Sequence, residues 1–467
     1  MKRAVMSILL PALGLAGCSV TDTSYIRQNL PAAPRWNDTA QMKVAYPSAN
    51  WWVSFGDDRL NRLIETVLAS NNDILTAALR SRKAVLQAQL TGGNALPTAT
   101  GSAKGQTSKA LGEGTVSREF SFELGSAYEV DLWGRLAAAR DVSALQADAT
   151  AEDMLTARTT VAASAMEAYW RLAYINQDIA EARDALASAR KIQSLVIQQT
   201  EIGSATELEV SEIRQTVEEQ AALLADAEQS LAVVRNALTV LLNGQELPVT
   251  EPRRLASRMP EPIAPGLPAE LLARRPDLRA AELRLRAALR ATNVERRSLY
   301  PQVSLTGALG GTSTELSRLL SNPLATLGTG ITLPFLNMRD GKLRVAVSDA
   351  DYQIAASEFR SSLLTAFSET STALSARVTL RQKGRHLKAA LDAAETAAKL
   401  IEERYRAGSV ELRVWIDAQN RSRAARRAYT ANRLEQLLAE VQIFRVLGGP
   451  PSRISEPLSA ALSGTTN

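Results

Sequence analysis

The sequence holds a single cysteine, Cys18, and a single histidine, His386. One cysteine cannot close an intramolecular disulfide. A lone histidine, with no glycine-rich phosphate loop and no nucleophile elbow, leaves little to catalyse with. The seven methionines are scattered, so no metal relay is visible. Aromatic residues make up only 5%, thin for a packed globular core and easier to reconcile with alanine-rich helix pairing. The net charge of +5 includes Lys2 and Arg3 of the leader, and what remains is too mild to argue for nucleic acid. No run of 18 apolar residues follows the leader, so no helix is expected to span a bilayer. His386 lies among Arg381, Lys383, Arg385 and Lys388 and reads as a solvated residue.

Proline is also missing over a long stretch, between Gly134 and Pro248. The segment from Arg135 to Ile202 reads as helix throughout, and a helix of about 65 residues is roughly 100 Å long. Gly203 breaks it, and Thr206-Glu207-Leu208-Glu209 fits a capping box. The next helix carries Val210, Ile213, Val217, Ala221, Leu224, Ala227, Leu231, Val234, Leu238 and Leu241. Those three- and four-residue steps are a coiled-coil seam. Trp51, Trp52 and Phe55 precede an earlier helix, expected from Asp57 or Asp58 to about Leu90.

What the chain does have is alternation. From Arg118 to Trp133, Phe120, Phe122, Leu124, Tyr128, Val130 and Leu132 oppose Glu119, Ser121, Glu123, Gly125, Ala127, Glu129 and Asp131. Side chains alternate across a strand, so this stretch has one apolar and one acidic-to-small face. About ten residues with that pattern suit a lipid-facing barrel strand. Stretches from Thr98, Gln302 and Thr326 read the same way, giving strands at about 97–109, 117–132, 301–311 and 325–336. A soluble hairpin is the commoner fate of such a strand, and the front of the chain favours the membrane. Residues 1–17 have a secretory leader's anatomy, with Lys2 and Arg3 before an apolar stretch. It ends in Leu15-Ala16-Gly17-Cys18, which resembles a lipoprotein cleavage site, so Cys18 is expected to carry lipid. Ser19, rather than aspartate, then points to the outer membrane.

The pattern occurs twice. Asn72-Asp73 to Pro97 corresponds to Pro276-Asp277 to Pro301, Gly134 to Gly341, and Gly203 to Gly408. The expected order is a tether over 18–56, a first repeat over 57–247, a proline-rich connector over 248–268, a second repeat over 269–449 and a tail over 450–467. The fold class is mainly α with transmembrane β, each repeat being helix, strand pair and long helical hairpin. Four strands cannot close a barrel, and an open edge is not tolerated in lipid. A trimer would supply twelve strands and twelve helix positions, although other multiples also satisfy closure.

Several motifs carry a resemblance: Trp51-Trp52 with Phe55-Gly56-Asp57, Asn71-Asn72-Asp73, Arg275-Pro276-Asp277-Leu278, Tyr300-Pro301, Arg404-Tyr405-Arg406-Ala407-Gly408 and Ile416-Asp417-Ala418-Gln419. They resemble the outer-membrane factors of the TolC family, and Cys18 places the chain with its NodT-type lipoprotein branch. The resemblance implies a homotrimer whose barrel continues into a helical tunnel. It also implies docking to a periplasmic adaptor protein and an inner-membrane pump, commonly of the resistance-nodulation-division type. The turns Gly203-Ser204-Ala205-Thr206 and Gly408-Ser409-Val410-Glu411 would be the adaptor-contacting tips, Thr206 or Ser409 capping the outgoing helix. Asp417 and Tyr405 match residues of the family's periplasmic gate, whereas the gate's second aspartate falls at Val414 and its arginine at Val410. Glu209 and Glu212 are weaker gate candidates. Trp133 and Tyr128 are candidates for an aromatic girdle, with packing at the strand-to-helix corner an equal contender for Trp133. The arginines from Arg421 to Arg433 read as a solvated face. No cofactor is expected beyond the lipid on Cys18, and the function implied is a passive exit duct. A structural coiled-coil lipoprotein without a pore is the competing reading, and an enzyme is the weakest.

Overall fold

The computed structural model describes residues 50–112, 114, 116–261 and 274–448. The leader, Cys18, most of the tether, the end of the connector and the tail lie outside the described residues. In chain order the elements are α1 (Asp58–Ser70), α2 (Asn72–Gly93), β1 (Thr98–Lys109), β2 (Val116–Val130), α3 (Arg135–Glu201) and α4 (Glu207–Leu241). The second half gives α5 (Pro276–Arg297), β3 (Gln302–Ser313), β4 (Leu324–Thr332), α6 (Met338–Arg406) and α7 (Leu412–Leu447). The helix expected from Asp57 to Leu90 is two helices. Asn71 breaks it because its side chain caps α2, accepting from the Asp73 and Ile74 amides at 2.9 and 3.3 Å.

The chain divides into two compact units, the first formed by residues 84–146 and 284–356 and the second by the remaining described residues. In the first unit the strands form one sheet in the order β1-β2-β3-β4, antiparallel throughout. The β2–β3 pairing joins the two repeats, with Leu124 opposite Leu309 and Tyr128 opposite Leu305. Residues paired across strands share a face, so Phe120, Phe122, Leu124, Tyr128 and Val130 align with Val303, Leu305, Leu309, Leu327 and Ile331. The other face holds Lys104, Gln106, Glu119, Glu123, Ser304, Thr306 and Thr326. Glycines sit where larger side chains lie across them. A Cβ at Gly105 would meet the Phe120 ring at 3.3 Å, and one at Gly101 would meet Leu124 at 3.4 Å. The outer edges of β1 and β4 have no partner strand among the described residues.

Two strands end earlier than the alternation suggests. β2 stops at Val130 because Asp131 turns to cap α3, taking the Leu136 and Ala137 amides at 3.1 and 2.8 Å. β4 stops at Thr332 because Pro334 opens a 3-10 turn over Pro334–Asn337, and proline donates no ladder hydrogen bond. Trp133 packs at the corner. Its indole donates to the Pro301 carbonyl at 2.8 Å and stacks on Tyr300 at 5.1 Å. Gly134 (φ +72°) makes the turn there, and its carbonyl accepts from Arg297 at 2.6 Å.

The second unit is helical. α1 buries Leu60, Leu63, Ile64 and Val67, one stripe at i, i+3, i+4 and i+7. Its N-cap, Asp57, also accepts the Tyr169 hydroxyl at 2.7 Å. Trp51 stacks on Phe444 at 5.0 Å, and Phe55, Tyr169 and Trp170 complete one aromatic group between the start of the described chain, α3 and α7. Alanines of α3 (Ala162, Ala165, Ala173) are fully buried, which allows close helix approach. Buried charges are paired, Glu152 with Arg279 at 2.6 Å and Glu440 with Arg377 at 3.0 Å. The repeat is visible in single bonds. Asn71 donates to the Leu241 carbonyl, and its counterpart Arg275 donates to the Val446 carbonyl.

Candidate functional site

Both expected tip turns form, and they close the same way. After α3, the Ser204 amide reaches the Gln199 carbonyl at 2.8 Å and the Gly203 amide reaches Thr200 at 3.0 Å. After α6, the Ser409 amide reaches Arg404 at 3.0 Å and the Gly408 amide reaches Tyr405 at 2.9 Å. This is the Schellman pattern, which needs a left-handed residue just past the helix. Gly203 and Gly408 supply it with φ of +77° and +71°.

The outgoing helices start differently. Thr206 caps α4 in a full capping box, its amide donating to the Glu209 carboxylate at 2.7 Å. Glu209 is thereby committed to the cap. Ser409 does not cap α7, contrary to expectation: its hydroxyl bends back to the Arg404 carbonyl at 2.9 Å, as Ser204 does to Gln199. The N-cap of α7 is Glu411, which makes no side-chain capping bond.

One apolar cluster joins the two hairpin ends. Val196, Val210, Ile213, Leu412 and Ile416 are buried in it, and Ala205, Tyr405 and Trp415 pack against it. Tyr405 stacks on Trp415 at 4.8 Å and donates to the Gln199 amide oxygen at 3.4 Å. Burial first, and then the Glu209 carboxylate, pushes the Tyr405 phenol up, with the Gln199 contact opposing. Tyr405 is therefore a neutral donor bridging the two turns. Asp417 is not drawn into this group. It is exposed on α7, although its neighbours Ile416 and Ala418 are both buried. Val414 is also exposed.

Sequence reasoning missed Gln199 and Trp415. The signal for Trp415 was available, since it lies between Leu412 and Ile416 on the first turn of the helix after Tyr405. Gln199 carries no local signal, because the contact crosses 206 positions. The arginines of α7 also need correcting. Arg426 pairs with Glu395, Arg427 with Asp178 at 3.0 Å, and Arg433 donates to the carbonyls of Ala256 and Ser257. These three staple helices and connector together rather than forming a solvated face, whereas Arg421 is exposed, as read. His386 is exposed, as read.

Among the described residues no helix is long and apolar enough to cross a membrane, and no three histidine, cysteine or acidic side chains cluster to hold a metal. A groove between α3, α4 and α7, about 700 Å³, is open and lined by charges of both signs, including Asp184, Glu219 and Arg423.

Residues 63–244 and 267–449 match the family described as outer membrane efflux protein, one segment per repeat. The chain is 32% identical to the pyoverdine export outer membrane protein OpmQ of Pseudomonas putida, over 94% of this chain and 96% of that protein. It is 30% identical to the outer membrane protein OprJ of Pseudomonas aeruginosa, over 95% of each. Among solved structures it is similar to the outer-membrane channel OprN, with a TM-score of 0.82, 27% identity, and coverage of 92% of this chain and 99% of that one.

Proposed function

The chain belongs to the outer membrane efflux protein family, and from that premise we propose that three copies close one channel through which cargo leaves the cell. It is an outer membrane channel, the exit duct of an efflux system. The observation that carries the reading is the sheet. One face is apolar and open, with Leu327 at 93% and Ile331 at 67% exposure, which suits hydrocarbon and costs free energy in water. The opposite face is polar and suits an aqueous lumen. The outer edges of β1 and β4, unpaired among the described residues, call for more strands, because an unpaired amide in lipid costs several kcal/mol. Copies joined from β4 to the next β1 would satisfy both edges at once.

The finer parts of the proposal concern partners. The turns at Gly203–Thr206 and Gly408–Val410 are the surface offered to a periplasmic adaptor, which links the duct to an inner-membrane pump of the resistance-nodulation-division type. At the same end, Asp417 of each copy would form an acidic ring that favours cations, while Tyr405 holds the two hairpins together. Lipid on Cys18 anchors the front of the chain to the outer membrane. Cargo is chosen by pump and adaptor, because a passive duct with a polar, water-filled lining does not bind what passes through it.

Purified protein added to a planar lipid bilayer should give discrete conductance steps. A periplasmic scaffold without a pore would give none, and such a result would overturn the proposal.

A further inference from the structure

We infer that the loop between β3 and β4 is an interfacial membrane anchor, its leucines seated in the outer boundary of the lipid beside the barrel. The inference rests on the sheet lying in a membrane, and it concerns a segment with no part in the duct itself.

The loop is short and amphipathic. Leu316, Leu319 and Leu320 are spaced i, i+3 and i+4 around a 3-10 turn, while Glu315, Ser317, Arg318 and Ser321 fill the other positions. The turn is held by its own bonds, Arg318 amide to Glu315 carbonyl at 3.1 Å and Ser321 amide to Arg318 carbonyl at 3.1 Å. Arg318 pairs with Glu315 at 3.2 Å and stays largely solvated. Leu316 is 66% exposed and Leu320 is 73% exposed, while Leu319 between them is half-buried.

The place of the loop on the sheet decides what covers them. Gly311 is paired with Phe122, so a side chain at 311 would stand on the apolar face. What stands there instead is the loop. A Cβ at Gly311 would come within 2.8 Å of the Leu319 carbonyl. The loop therefore folds over the apolar side of the sheet and not over the polar one.

The height of that face fits a bilayer. From Val130 to Phe120 the strand climbs about 34 Å, and at a tilt near 40° this gives roughly 26 Å, the height of a lipid-facing band. Gly311 lies level with Phe122, at the far end of the band from the helices. Leucines held at that level, continuous with the lipid face, meet the boundary between acyl chains and headgroups. Arg318 and Glu315 remain on the wet side.

The test uses the full chain in vesicles, with an environment-sensitive dye on single introduced cysteines and the unsubstituted protein as labelling control. Leu327→Cys reports on the sheet, Leu320→Cys on the loop, and Ser317→Cys on the polar side of the same turn. Lipid carrying a nitroxide near its headgroup should quench the dye at 320 roughly twofold more than at 317. Adding Gly311→Val should lift the loop and remove that difference without changing the signal at 327. If 327 is not quenched by lipid, the membrane placement of the sheet itself fails. If 327 is quenched while 320 is reached only by a water-soluble quencher, the anchor is wrong and the channel reading stands. Shielding of 320 from both quenchers would mean that a neighbouring copy covers it, which also overturns the anchor.

Discussion

At the scale of single residues, the two turns show how much a side chain's partner matters. Thr206 and Glu209 close a reciprocal cap, whereas the equivalent position on α7 is Glu411 without one. Losing a threonine cap costs about 1 kcal/mol. Thr206→Ala should lower the unfolding free energy by that order, and Ser409→Ala, which removes only a bond to Arg404, by less; chemical denaturation followed by circular dichroism would compare them. Glu251 offers a test with pH. It accepts from Arg235 at 2.7 and 3.0 Å and from Asn176 at 3.2 Å, fastening the connector to α4 and α3. The Arg235 hydrogen bonds, chiefly, hold its carboxyl below the ordinary value of 4.5. A depressed carboxylate contributes stability above its unfolded value and loses it as pH falls through the folded one. Glu251→Gln should therefore be less stable than the parent at pH 7, by an amount within the modest range of part-exposed pairs. The difference should fade below about pH 4. Thermal melts at both pH values would show it, and a constant difference would rule the linkage out.

At the scale of elements, periodicity told most of the story, and local chemistry set the ends. The strand faces, the long helices and the two turns all follow from spacing in the sequence. The break at Asn71 was hidden because asparagine inside an apolar repeat reads as a tolerated helix residue, and only its capping bonds reveal the interruption. Pro334 was visible, but alternation through Phe335 suggested that the strand ran past it. Trp133 was legible as either girdle or corner, and its bond to Pro301 places it at the corner. The role of Ser409 depends on which helix its hydroxyl faces, and spacing does not contain that. The faces themselves can be tested. Leu327 lies opposite Gly307 near mid-strand on the apolar face, and Thr326 lies beside it on the polar face. Leu327→Arg should cost about 2–4 kcal/mol of insertion free energy, seen as a sharp fall in outer membrane protein, whereas Thr326→Arg should insert normally. Equal loss from both variants would contradict the assignment of faces.

At the scale of the whole molecule, duplication gives a chain whose halves solve the same packing problem with different residues. Asn71 and Arg275 reach equivalent carbonyls, one with an amide and the other with a guanidinium that also pairs with Asp277 and Glu369. The second repeat thus carries charge where the first is neutral. The front of the chain makes its own prediction. Cys18→Ser should leave the fold intact and displace the protein from the outer membrane, read by fractionation and by loss of labelled fatty acid. Acylated protein recovered from that variant would contradict the assignment. The bare rims of β1 and β4 have a further consequence for how such a protein is made. In the proposed assembly a subunit alone would be an unfinished object, and its completion would depend on meeting its own kind before anything else pairs with those rims. Confining newcomers to a surface turns that search from three dimensions into two, so an acyl anchor would speed maturation as well as fix an address.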